Sequence, residues 1–196
     1  WQEALAFEWD VTGEPSDYGD WSDLRLVSRL DKLSPALFQR VMSGQVISRV
    51  DLELTRPGDT ANDVLRFRLD DVVIMSYKLG QDAAGEPVVE YTLSFNKITF
   101  TQIPYDSNGQ PQTAVTTSWD RTANTTNSVT PLSTTAPTES ALAASSPIGV
   151  DPTSGDPLPL FVKFNGLTGS STDASHVGWQ EALAFEWDVT GEPSDY

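Results

Sequence analysis

The chain has 196 residues, a formal net charge of −16, one histidine and no cysteine. A chain of this size buries one core and leaves residues over for a tail or linker. Its acidity argues against nucleic acid, whose phosphates need a basic face, and against an anionic membrane surface. Without cysteine there is no disulfide framework and no thiol nucleophile, and a single histidine rules out most zinc sites. No apolar run approaches the roughly twenty residues that cross a bilayer, so membrane insertion is not expected.

Trp1 to Tyr18 spell WQEALAFEWDVTGEPSDY, and Trp179 to Tyr196 spell the same eighteen letters. Identity of that length is not chance: the chain holds one full period and the start of another. Three origins are open: a window on a tandem array, a circular permutant with an overlap, and a cloning duplication. The array is the reading preferred at this stage. Within the segment, residues 4–12 alternate, with Leu5, Phe7, Trp9 and Val11 on one face, as in a half-buried strand. The turn residues from Gly13 to Asp20 predict a loop. A second strand is expected over Leu24 to Leu30.

One helix is expected next. Ser34 can cap it, Pro35 suits its first turn, and Gly44 stops it. Its apolar stripe of Leu37, Phe38, Val41 and Met42 predicts packing on a sheet. Alternating strands follow over Val46–Leu54 and Leu65–Leu69, and an apolar run over Asp71–Leu79 reads as buried on both faces. After a turn between Gly80 and Gly85, a long strand runs from Val89 to Ile103, with a phase change between Phe95 and Ile98 that suggests a bulge. A last strand spans Thr113 to Trp119. Thr, Ser, Pro and Ala then dominate residues 121–157, a linker composition with too little apolar area to form a core. Such a linker spans about 35 Å as a coil and about 100 Å when extended. Leu160, Val162 and Phe164 make a short strand beyond it, and the chain leads back into the repeated segment. The expected partition is therefore residues 1–120 as a domain lacking its first strand, 121–157 as linker, and 158–196 as the first strands of a next repeat.

Taken in circular order, the pieces resemble the Hcp family, the hemolysin-coregulated proteins that form the tube of type VI secretion systems. The resemblance rests on LFVKFNGLTG (Leu160 to Gly169), SSTDASH (Ser170 to His176) and the Trp-containing strand from Phe185 to Val189. It continues through LDKLSPALF (Leu30 to Phe38), LRFRLDDVVIMSYKLG (Leu65 to Gly80), YTLSFNKITFT (Tyr91 to Thr101) and Trp119-Asp120. It implies a mainly β fold: a tail-tube-like barrel of two packed sheets with one short α-helix. It also implies a secreted bacterial protein that associates with copies of itself into six-membered rings, which stack into a hollow tube. The loop after the second strand reaches neighbours in that family. Here it would be Gly13 to Asp23, with Tyr18 and Trp21 as aromatic anchors. Leu160, Val162 and Phe164 are the other candidates for an inter-domain interface.

Catalysis finds little support. His176 reads as a loop hydrogen-bonding residue, and adjacent Asp70 and Asp71 point to opposite faces of a strand. Asp20 with Asp23, or Asp10 with Asp17, lacks the spacing of a calcium loop. No catalytic residue, metal or cofactor is expected. The leading functional reading is an extracellular tube or filament of tandem domains joined by linkers. A conventional hexameric secretion tube that carries or chaperones effectors is the second, and a repeat module of an adhesin is the third.

Overall fold

Strand alternation and one bent hairpin build most of the fold. The computed structural model describes residues 20–56, 62–105, 110–123, 125–126, 158–186 and 189–190. The strand expected over residues 4–12, the Tyr18 position and most of the linker lie outside them. Two residues, Asp20–Trp21, form β1, and β2 runs over Leu24–Arg29 with Leu24, Leu26 and Ser28 facing inward. Helix α1 is Ser34–Ser43. Strand β3 is Ile47–Arg56, and β4 is a single 20-residue strand, Asn62–Gln81. Strands β5 (Pro87–Ser94) and β6 (Lys97–Gln102) both run antiparallel to β4. Strands β7 (Val115–Asp120) and β8 (Thr125–Thr126) complete this half. Beyond residue 157 lie β9 (Leu160–Phe164), β10 (Gln180–Glu186) and β11 (Val189–Thr190).

The phase change between Phe95 and Ile98 is present as a break in the partner of β4. Ser94 pairs with Val73 and Lys97 with Asp70, and the skipped residues lie opposite Asp71, which takes a left-handed φ of 55°. A second irregularity falls between Ile74 and Ser76. Together they bend β4 and re-aim its far half. That bend corrects the expectation that residues 71–79 are buried on both faces: Val72 and Ile74 are buried, but Met75 and Leu79 are exposed.

The bend also lets the sheet close. Hydrogen bonding runs in the order β3-β9-β10-β2-β5-β4, and β4 returns to pair with β3. The result is a mainly β barrel with one short helix. The two layers expected from the sequence are halves of one closed sheet, continuous round the barrel. Strands β6, β7 and β8 extend from β4, so pairing continues past Asp120 to Thr126. Leu26, Val50, Leu52, Leu69, Tyr91, Leu93, Val162 and Phe164 fill the core.

Helix α1 shows where local signals mislead. Ser34 is its first helical residue rather than its cap: the N-cap position is Leu33, without a side-chain cap bond, and the Asp31 carboxylate accepts the N–H of Leu33 at 2.9 Å in the turn ahead of it. Ser34 Oγ in turn accepts the N–H of Asp31 at 3.0 Å. Gly44 ends the helix as expected, at φ 61°, donating its N–H to the carbonyl of Val41. Only half of the apolar stripe packs. Leu37 is fully buried and Val41 partly, whereas Phe38 and Met42 face outward, 52% and 72% exposed.

Candidate assembly interface

Strand β9 is where the two ends of the chain meet. It pairs with β3 from Val50↔Phe164 to Leu54↔Leu160, and with β10 from Gln180↔Val162 to Ala182↔Leu160. Leu160, Val162 and Phe164 all enter the core, where Phe164 meets Tyr91 edge-on at 5.8 Å. These three expected interface residues therefore sit inside the barrel that contains β2 to β5. Backbone pairing of Trp21 with Val189 places its main chain beside β11.

The outer face of β9 is covered too, by the loop that leads to β10. His176 lies flat on Phe161, with ring centroids 4.1 Å apart and planes 3° from parallel, and Trp179 meets its edge at 5.1 Å. His176 Nδ1 is 2.7 Å from Asp173 Oδ1, and Nε2 is 2.9 Å from Glu53 Oε2 on β3. The His176 hydrogen bond holds the Asp173 carboxyl below the ordinary carboxylate range, helped by the N–H groups of Ser175 and His176. A ring only 2% exposed, stacked and bonded at both nitrogens, is a clamp between loop and barrel. The structural reading of His176 stands, with a larger reach than a loop bond.

A second clamp centres on Asp31. Its Oδ2 accepts the N–H and the hydroxyl of Ser170, at 3.1 and 3.0 Å. Its Oδ1 accepts Nε2 of buried Gln180 at 3.2 Å, and Gln180 Oε1 accepts the hydroxyl of Tyr91 at 2.8 Å. Burial pushes the Tyr91 hydroxyl well above its ordinary range, so it stays a donor. Asp31 thus ties the helix start to the segment that carries Ser170 and Gln180. Sequence reasoning missed this pair. The signal was a lone Gln on a strand otherwise rich in apolar residues.

The second copy of the repeated segment also departs from simple alternation. Gln180 and Ala182 face inward, a register shift between Ala182 and Ala184 follows, and Phe185 then packs on Phe67 at 5.6 Å. Leu183, expected on the buried face with Phe185, is half exposed for that reason.

On the opposite side, Phe38 meets Tyr77 edge-on at 5.8 Å, and Met42 lies one helical turn on. Leu79 pairs with Val89 as Tyr77 pairs with Tyr91, so Leu79 shares the face that α1 covers. Leu79 is 62% exposed. Phe38, Met42 and Leu79 are large apolar side chains that the described residues leave exposed on this side. Ion pairs lie elsewhere on the barrel: Arg25 with Glu90 and Glu186, Arg68 with Asp70, and Lys97 with Asp120.

A family model described as "Type VI secretion system effector, Hcp" matches residues 1–102. The chain belongs to the Hcp family. A solved type six secretion system protein is similar at 21% identity, covering 63% of this chain and 78% of its own, with a TM-score of 0.53. Hcp1 from Salmonella typhimurium is 19% identical over 56% of this chain and 79% of its own, with a TM-score of 0.48. A type VI secretion system effector from Yersinia pestis is 25% identical over 59% and 81%, with a TM-score of 0.45. No curated protein matches the sequence. As an Hcp family member the chain is a structural protein and not an enzyme. Among the described residues, no group of three or more His, Cys, Asp or Glu could hold a metal ion. The Hcp match begins at Trp1 and so includes the first copy of the repeat, whereas the described barrel contains the second.

Proposed function

We propose that this Hcp chain is a ring-forming subunit of a type VI secretion tube, secreted from a bacterial cell and stacked with copies of itself. Membership of the family carries this reading. The exposed apolar side chains of Phe38, Met42 and Leu79 support it, because a self-associating subunit buries side chains of that kind. Six subunits per ring is the number that the family resemblance suggests, and cargo effectors would travel in the lumen. Sedimentation velocity and electron microscopy of the 196-residue chain test it. Annular particles are the expected result, and a monomer at every concentration overturns it.

The duplicated segment favours a second reading, in which several such domains follow one another on a single polypeptide and build a filament. The length of the complete coding sequence separates the two. A single period favours the separate-subunit tube, and several favour the filament.

A further inference from the structure

Both ring nitrogens of His176 face carboxylate oxygens. A neutral imidazole donates from one nitrogen and accepts at the other. Asp173 Oδ1, 2.7 Å from Nδ1, also accepts the backbone N–H groups of Ser175 and His176, so it acts as an acceptor and Nδ1 is the donor. A neutral ring would then turn the bare lone pair of Nε2 on Glu53 Oε2 at 2.9 Å. A bond forms there only with a second proton between the two atoms. Arg66, 3.7 Å from the other oxygen of Glu53, favours the carboxylate and so leaves that proton on the ring.

The surroundings point the same way. Cross-strand pairing sets Arg66, Glu53, Phe161 and Glu181 in one row across β4, β3, β9 and β10, and Asp173 approaches from the loop. In the next row Lys163 lies opposite Asp51, which bonds Arg49, and the Lys163 ammonium donates to the Gly178 carbonyl at 3.3 Å. Around the ring the carboxylates Glu53, Glu181 and Asp173 outnumber the cations Arg66 and Lys163. The face of Phe161, stacked on the imidazole, also favours a cation.

We propose that His176 is a proton-operated latch: its ring carries both protons while residues 165–179 are docked on β9 and β3, and loss of one proton loosens that loop and the strands it covers. The inference goes beyond the tube reading, since it holds whether or not rings form. Its sign follows from linkage. The docked ring keeps a proton that an unfolded histidine gives up near about pH 6.5. Stability is therefore complete below that pH and falls as pH rises above it, until the docked ring has released the proton too.

The whole 196-residue chain serves for the test, because with one histidine and no cysteine little else in it titrates between about pH 6 and 9. Nitrogen-15 NMR near neutral pH should show both ring nitrogens protonated, with no other histidine to confuse the assignment. Urea unfolding over the same range should show the unfolding constant rising by up to about tenfold per pH unit, the limit for one linked proton. His176→Gln should remove that slope. Glu53→Gln is the second variant: its carboxamide can donate to a neutral Nε2, so it should remove the slope and leave the chain folded at alkaline pH. A bare Nε2 at neutral pH, a parent chain without the slope, or a slope that survives either substitution overturns the proposal.

Discussion

Gln180 and Tyr91 offer a direct measure of how firmly β9 and β10 are docked. The hydroxyl of Tyr91 donates to Gln180 Oε1 at 2.8 Å inside the core, and both side chains are buried. Tyr91→Phe strands the Gln180 carbonyl oxygen without a donor, and Gln180→Leu strands the phenol and removes one donor from Asp31. Each leaves a buried polar group unsatisfied, which costs about 1–3 kcal/mol. The double variant removes both partners at once, so its cost should fall well short of the sum, with a coupling of about 1–2 kcal/mol. Urea unfolding followed by tryptophan fluorescence and circular dichroism gives all four corners of the cycle. Gln2 occupies the matching position in the first copy, so Gln2→Leu in dilute protein should stay within about 0.5 kcal/mol of the parent. Additivity within about 0.5 kcal/mol would show that phenol and carboxamide do not meet. An equal loss from Gln2→Leu and Gln180→Leu would show that the copies share the site evenly.

Gly169→Ala should destabilise the barrel by about 1–3 kcal/mol, because a Cβ there would lie 2.6 Å from the Trp179 carbonyl carbon and 2.8 Å from the Gln180 nitrogen; thermal melts read this. Acid should weaken the fold through Asp173, Glu90 and Asp120. Hydrogen bonds from His176, Arg25 and Lys97 respectively hold these carboxyls below their ordinary values. A carboxyl with a depressed folded-state pKa contributes stability above its unfolded value, near pH 4, and loses it as pH falls through the folded value. Asp51, raised by burial, works in the opposite sense. Urea midpoints measured down the acid limb should therefore fall, and Asp173→Asn should flatten part of that slope. Met42→Glu with Leu79→Glu should abolish assembly in sedimentation velocity while leaving the urea midpoint of the monomer nearly unchanged, since both side chains are exposed.

Much of the barrel was legible because period-2 alternation over β2, β3 and the first half of β4 is a local signal that burial enforces. The break at Phe95 was legible for the same reason: a phase change is itself a pattern. What failed to read was what strand curvature does. Residues 71–79 are apolar in a row, which suggests burial on both faces, but the bend at Asp71 turns Met75 and Leu79 outward. Phe38 and Met42 satisfy a helical stripe equally well whether the helix packs on its own sheet or offers its outer side to a partner. The polar clamps were hidden because Asp31 with Gln180, and Glu53 with His176, are pairs made by the fold and not by sequence proximity.

That distance in sequence has a consequence for how the barrel closes. Strands β2 to β8 form from neighbouring stretches, whereas β9 and β10 are more than a hundred residues from β3 and β2 in sequence, as the pairs Val50↔Phe164 and Ser28↔Ala182 show. Non-local pairing of this kind is slow, because the loop must be closed before any contact is gained. Until residues 158–190 dock, β2 and β3 each present an open edge, and open edges invite another chain. The edge of β3 waits for β9, whose sequence occurs once in the chain. Closure of β3 is therefore a step at which a neighbour's segment can compete with the chain's own.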